Sequence, residues 1–515
     1  MTNRTVRRLG IDVGGTNTDA AVVEIGADGS ASVVASVKTP TTDDVLGGIR
    51  NALAQVPHEG VEVVVIGTTH FTNAVIQRRG LNPVGFLRLC RPTGSSLPPT
   101  VGWPEDLASE VCGAVAMVEG GIEYDGRPFM DVDEAGVIEA GQRFAAAGLT
   151  SFVVAGSFAP VDTSQEDRAA ELLAECVPGA RVTVSHRLGR LGLLERENAA
   201  GLNAALVDLA SSTIDAFAAA LATTDLGHQA RLYLSQNDGT LLDLADAARY
   251  PVLTFASGPT NSMRGAALLG GVDDGLVVDV GGTTADFGAL VAGYPRQANA
   301  AVEFGGVRTL FRLPDLLSIG LGGGSRIRTD PLRLGPDSVG QHLTSMALGF
   351  GGAIPTLTDA ALATGRLTIP GAAIPDVPDA ARVVALAAEM VADGADRMKL
   401  SADAVPLVAV GGGAFAVPDA LPGISEVIRP SHAGVANAVG AALAQVSGET
   451  DRVFRNMGRQ AAIDAAVAEA IEAATSSGAD PTDIEVLEVE DLPLAYLPGD
   501  SRRVRARVVG PLRAG

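Results

Sequence analysis

Asp12-Val13-Gly14-Gly15-Thr16-Asn17-Thr18-Asp19 returns 267 residues later as Asp279-Val280-Gly281-Gly282-Thr283-Thr284-Ala285-Asp286. One motif used twice predicts two similar lobes. Each copy ends a short strand pattern, Leu9/Ile11/Val13 and Leu276/Val278/Val280. Further strand-like runs follow, residues 20–25 and 33–37 after the first and 287–291 after the second, so each motif reads as the entry to a β-meander. Beyond them, residues 61–66 and 151–155 read as buried strands with a helix over 133–147 between them, giving an α/β class. Leu191, Leu194, Leu202, Leu206, Leu209, Ile214, Phe217 and Leu221 recur at helical spacing and predict long connecting helices where the lobes would hinge. Ile463, Val467 and Ile471 mark an amphipathic helix. The alternating runs Ile484/Val486 and Val504/Ala506/Val508 flank a Pro498-Gly499 turn and read as a hairpin, with Arg503, Arg505 and Arg507 on its solvent face. The expected domains are a first lobe over 1–189, connecting helices over 190–228, a second lobe over 229–450, and a helix with a hairpin over 451–515.

Working outward, the whole chain has 515 residues, 47% of them hydrophobic and 19% charged, as in an ordinary globular protein. Lysine plus arginine minus acids is 38 − 60 = −22. That argues against a nucleic-acid partner, which needs clustered positive charge. The N-terminal apolar stretch is broken at Asp12 and the uncharged stretch 338–358 holds Pro355 and four glycines, so neither an export signal nor a membrane span is expected. Cys90, Cys112 and Cys176 are too few and too scattered for a disulfide framework or a metal cluster, which suits a reducing cytoplasm. Glycine is in excess, 62 residues, and clusters at Gly14-Gly15, Gly281-Gly282, Gly322 to Gly324, Gly351-Gly352 and Gly411 to Gly413.

An aspartate at a strand end followed by Gly-Gly-Thr combines two things a nucleotide triphosphate needs. Glycines let the backbone bring N–H groups against phosphate oxygens, and the carboxylate can hold Mg2+ directly or through water. Thr16 and Thr283 add hydroxyls. Two copies facing each other would clamp one Mg-ATP across a cleft; the plain alternative is that each Gly-Gly is only a hairpin turn. Gly411, Gly412 and Gly413, after the strand pattern 407–410, suit a flat ligand such as adenine. Neither a Walker-type loop nor a Rossmann glycine fingerprint is present.

The ordered set of motifs resembles the hydantoinase/oxoprolinase A subunit family, which includes N-methylhydantoinase subunits. These motifs are residues 10–19, Gly67-Thr68-Thr69-His70-Phe71-Thr72-Asn73-Ala74, Ser257-Gly258-Pro259, residues 279–286, residues 318–325 and residues 355–359. The family belongs to the actin, hexokinase and Hsp70 ATPase superfamily. The resemblance implies two ribonuclease H-like lobes with an ATP cleft between them. It also implies ATP-dependent activation of a cyclic amide of hydantoin, 5-oxoproline or lactam type, commonly with a second subunit. It carries over Asp12 and Asp279 as holders of Mg2+ and phosphate, with Asp19 and Asp286 as bases or orienting groups. Gly14, Gly15, Thr16, Asn17, Gly281, Gly282, Thr283, Thr284 and Gly411 to Gly413 would bind the nucleotide. His70, Asn73, Asp315, Gly323, Gly324 and Ser325 would face the substrate. The chain departs from the family at residues 91–104 and at His70-Phe71. His70 could serve as acid or base, or be structural; Trp103 reads as packing in a surface loop. A small-molecule kinase and a non-enzymatic actin-like or chaperone-like ATPase are the competing readings of the same fold.

Overall fold

The computed structural model describes residues 5–14, 17–26, 28–40, 45–189, 191–298, 302–311, 313–495 and 499–513, without the side chains of 45, 46 and 228. Gly15, Thr16 and Pro498 therefore lie outside the described residues. Leu9, Ile11 and Val13 fall on β1 (Val6–Val13), buried throughout from Arg8 because strands flank it on both sides. β2 (Asn17–Ile25) returns antiparallel and β3 (Ala31–Pro40) completes the meander at an edge. β4 (Val61–Thr68) lies parallel to β1 on its other side and leads into helix α1 (His70–Gln77).

The chain then leaves this sheet for a second one. β5 (Val84–Arg91), β6 (Cys112–Glu119), β7 (Ser151–Gly156) and β8 (Arg181–Val184) form an all-parallel sheet in the order β6-β5-β7-β8. Helix α2 (Glu134–Ala146), capped by the Asp133 carboxylate on Gly136 N–H, connects two of its strands. Helix α3 (Leu193–Ala222) is long and apolar enough to cross a membrane by length and composition, but more than half of its most apolar stretch is buried within the protein. Leu202, Leu206 and Phe217 pack in the core of the first lobe. It is a core helix, not a hinge.

The chain returns to the first sheet through β9 (Arg231–Ser235), parallel to β4, and β10 (Leu241–Leu242). This corrects the boundary expected at 229: the first sheet extends to 242, because periodicity identifies a strand without saying which strand it pairs with. Helix α4 (Ser257–Gly270) follows. The second lobe starts at β11 (Gly275–Val280), with β12 (Ala285–Val291), β13 (Leu316–Ile319), β14 (Val405–Val410) and β15 (Ile424–Ile428). Third strand, second, first, fourth, fifth is the order in both sheets, with the same two antiparallel and two parallel pairings.

Helix α5 (Ala436–Ala442) leaves the second lobe and packs against α4. A Cβ on Gly265 would lie 1.9 Å from the Ala436 carbonyl, and one on Gly440 would lie 1.8 Å from that of Asn261. Only glycine permits this approach. The lobes therefore cross here, not at residues 190–228.

The terminal unit has β16 (Val446–Phe454), helix α6 (Arg459–Ser476), β17 (Glu485–Pro493) and β18 (Arg502–Gly510). β18 is central, and the face expected to meet solvent is instead covered by acidic side chains that pair with its arginines. Arg505 and Arg507 are buried; Arg507 Nη2 bonds Asp238 Oδ2 at 2.8 Å, and Arg503 grips Asp451 through two bonds. On α6 the fully buried stripe is Ala462, Ala466, Ala470 and Ala474, with Ile463, Val467 and Ile471 only partly covered.

Candidate nucleotide site

The two motif copies fold alike. Asp12 stands opposite Asp19 across one hairpin and Asp279 opposite Asp286 across the other. The turns close by equivalent bonds, Gly14 N–H to Asn17 O at 3.0 Å and Gly281 N–H to Thr284 O at 2.8 Å. Both are hairpin turns, and both line a single cavity of about 380 Å3 between the lobes. Its lining includes Gly14, Asn17, Asp19 and Lys38 from the first lobe and Asp279, Gly281, Gly282 and Gly411 to Gly413 from the second. Leu343, Leu367, Ile369 and Phe415 add apolar side chains.

Each aspartate at a strand end is held by the helix that follows the opposite lobe. Asn437 on α5 donates to Asp12 Oδ2 at 2.8 Å, and Ser262 on α4 donates to Asp279 Oδ2 at 2.6 Å. Asp12 is 4% exposed and its Oδ1 has no described partner; burial, with Asp19 opposite adding repulsion, pushes its pKa up to about 7. Burial also raises Asp19 despite Lys38 Nζ at 2.9 Å, and Asp19 Oδ1 likewise lacks a partner. Asp279 is raised by burial against the Ser262 bond, and Asp286 is pushed to about 6 by burial, partly relieved by Ser318. Four crowded carboxylates with two orphaned oxygens are an environment that a divalent cation would stabilise. Among the described residues no three side-chain ligands form a metal cage. That donor set still fits Mg2+, which commonly keeps its waters and takes one or two carboxylates plus phosphate oxygens.

The glycines have distinct tasks. Gly411, at φ 85°, follows β14 so closely that a Cβ would fall 2.2 Å from Asp279 Oδ1, whereas Gly282 and Gly412 have open space where a side chain would be. The backbone is thus bared to the cavity at both. Thr283 is exposed and, like Thr284, does not line the cavity.

The expected substrate residues do not gather at one place. Gly323 and Gly324 donate to the carbonyls of Gly281 and Gly282 at 3.0 and 2.8 Å, and Ser325 Oγ accepts from Gly322 N–H. They buttress the second hairpin; Gly323 alone of the three lines the cavity. Asp315 pairs with Arg296 away from the cavity. His70 opens α1 with its ring edge-on to Phe71, and burial lowers its pKa; Asn73 bonds Thr69 within the same turn. Both sit at the carboxyl end of β4, beside Asp12's strand, without lining the cavity. Trp103 is buried, its Nε1 donating to Asn198 Oδ1 at 2.7 Å, so it belongs to the core and not to a surface loop. Lys38, Ser262 and Asn437 were not legible as site residues. Lys38 could have been found by extending the β3 pattern into register with Asp19; the other two come from distant helices and carry no local signal.

Paired sheets of this order around a cleft with twinned aspartate hairpins define the actin/hexokinase-like ATPase fold. Residues 8–177 match the hydantoinase/oxoprolinase N-terminal region and residues 196–370 match the hydantoinase/oxoprolinase family. The chain belongs to the hydantoinase/oxoprolinase family. It is 28% identical over 389 residues to caprolactamase subunit alpha of Pseudomonas jessenii, covering 70% of this chain and 54% of that protein. It is 25% identical over 408 residues to 5-oxoprolinase 1 of Arabidopsis thaliana, covering 70% and 31%. The chain thus spans about half of the first relative's length and less of the second's. The fold is that of the ATP-dependent caprolactamase from Pseudomonas jessenii, at TM-score 0.73, 21% identity and coverage of 98% and 88%. It is also that of nucleotide-free acetone carboxylase, at 0.68, 19%, 99% and 88%.

Proposed function

We propose that this chain is the ATP-using subunit of a cytoplasmic enzyme that opens a small cyclic amide. The observation that carries the reading is the pair of aspartate hairpins lining one cavity, whose apolar lining residues would suit adenine. Gly282 and Gly412 would offer backbone to the phosphates, and Lys38 would meet their charge. Mg2+, held by Asp12 and Asp279 through water, would neutralise charge on the transferring phosphoryl group. An amide carbonyl is a poor electrophile. Transfer of the γ-phosphoryl group to its oxygen, with release of ADP, gives an imidate phosphate; water then adds at carbon, the ring C–N bond breaks with the nitrogen leaving as a protonated amine, and a second water hydrolyses the resulting acyl phosphate to carboxylate and phosphate. Membership of a family containing a caprolactamase subunit and an oxoprolinase supports the substrate class, and the relative's designation as a subunit supports a second chain.

The test is ADP and phosphate release by this chain with its candidate partner subunit, with and without hydantoin, 5-oxoproline and ε-caprolactam. Stimulation by one of them, with equal amounts of ADP, phosphate and ring-opened product, is the expected result. A stable phosphorylated product, or nucleotide hydrolysis indifferent to every cyclic amide, would contradict it.

A further inference from the structure

The terminal unit leaves part of one sheet face uncovered. Its strands follow the order β16-β18-β17 and both pairings are antiparallel, so β16 and β17 run parallel and α6 is the crossover between them. This is a split β-α-β unit, the first part of a β-α-β-β-α-β arrangement whose second helix lies beside the first on the same face. Here α6 stands alone. It packs on β16 and β18 and only marginally on β17, and no other helix among the described residues packs closely on β17.

Two ion pairs fix the roll of α6. Arg459 Nε donates to Asp491 on β17 at 2.7 Å, and Glu469 accepts from Arg452 on β16 at 2.9 Å. With the alanine stripe turned into the core, these bonds set Ile463, Val467 and Ile471, half-buried, on the β17 side of the helix. On the strand, Val486 stands opposite Val508 and Val489 opposite Ala506, and residues in register share a face. Val508 and Ala506 pack in the core under α6, so both valines point to the helix side, yet they remain 49% and 40% exposed. Single exposed apolar residues are ordinary. Five aliphatic side chains on one face, shared by a helix and an edge strand, mark an interaction surface.

The rim of this shelf is acidic. Asp464 and Glu472 lie on the outer flank of the α6 stripe and Glu485 opens β17; all three are exposed, and none pairs with a cation among the described residues. A second copy of this chain would bring the same acids to the same place, against a formal net charge of −22 on each. The shelf therefore suits a basic partner.

We infer that the shelf docks the second chain of the enzyme through an amphipathic helix whose aliphatic stripe is flanked by lysine or arginine. Such a helix would take the place of the second helix of the β-α-β-β-α-β arrangement, laying its apolar face on Val486, Val489 and the α6 stripe. The assignment rests on the two-chain reading above and adds where the chains meet.

The test uses the full chain with its candidate partner subunit, with complex affinity measured by titration calorimetry and Mg-ADP affinity on the same samples. Val486→Asp and Val489→Asp should each weaken the complex at least tenfold, and added salt should weaken the wild-type complex. Leu400→Asp, at an exposed position outside the shelf, should change it less than twofold, with Mg-ADP affinity unaltered in all three. Amide hydrogen exchange on the wild type needs no variant to fold: exchange in residues 463–471 and 485–493 should slow when the partner binds. A complex indifferent to both shelf substitutions, a complex that leaves exchange there unchanged, or a wild-type chain that protects this strand by dimerising would each overturn the docking surface and leave the two-chain reading in place. No complex at all would overturn both.

Discussion

The two aspartate hairpins share register, turn and reciprocal helix contact, yet they are not equivalent. Asp12 is almost wholly enclosed, with an amide donor from Asn437; Asp279 lines the cavity, with a hydroxyl donor from Ser262. Among the described residues a cation accompanies only the first pair, Lys38 on Asp19, while Asp286 has a serine. The duplicated scaffold provides symmetric positions with unequal exposure. Under the proposed function, Asp279 would meet a hydrated cation from the cavity wall and the enclosed Asp12 would act on it only through water.

Removing the open carboxylate should therefore have the largest effect. Asp279→Asn is expected to lower steady-state turnover a hundredfold or more, on the scale of about 3 kcal/mol for losing one preorganised electrostatic contact. Turnover close to wild type would remove Asp279 from the mechanism. Next comes the asymmetric cation. Lys38→Met should weaken ATP binding at least tenfold and ADP binding less, with Lys38→Arg restoring part of it. Lys38 also bonds the Gly434 carbonyl at 2.9 Å, but it is over a third exposed, so the loss of stability should stay below about 1 kcal/mol. Titration calorimetry and thermal melting separate the two effects.

Ser262→Ala leaves Asp279 without its donor and should weaken Mg-ATP binding about tenfold, the scale of a hydrogen bond to a charged group at about 1.5–3 kcal/mol. Equal Kd values would mean that the helix crossing does not tune the site. The smallest effect is thermal. Asp12 holds its proton more tightly in the folded chain, so the metal-free protein gains stability as pH falls through about 7 towards 4, and above 7 it carries a buried charge instead. Between pH 8 and pH 5.5 this amounts to about 2 kcal/mol. The metal-free wild type should melt a few degrees higher at pH 5.5 than at pH 8, and Asp12→Asn should reduce that dependence, leaving the part that the raised Asp19, Asp279 and Asp286 contribute.

Local patterns carried much of this account and stopped at a definite point. The duplicated motif, β1, β4, β11 and α2 were legible because each has its own hydrophobic period or cap. Alternation reads the arginine face of β18 as solvent, whereas Asp238 and acids on β16 and β17, distant in sequence, cover Arg505 and Arg507. The pairing of β9 with β4 was hidden for the same reason, across more than 160 residues of intervening chain. Asn437 and Ser262 reach the aspartates through glycine-packed helices from opposite lobes, a contact made entirely in three dimensions. The resemblance implies that Gly324, Ser325 and Asp315 face substrate, but it does not show that the first two buttress the second hairpin and that Asp315 pairs with Arg296.

The central claim is that both hairpins grip one Mg-nucleotide. Titration calorimetry of ATP into the wild type, Asp12→Asn and Asp279→Asn, each with Mg2+ and with EDTA, tests it most directly. One site per chain is predicted, dependent on Mg2+ and weakened at least tenfold by either substitution. Mg2+-independent binding, or binding that survives both substitutions unchanged, would contradict it.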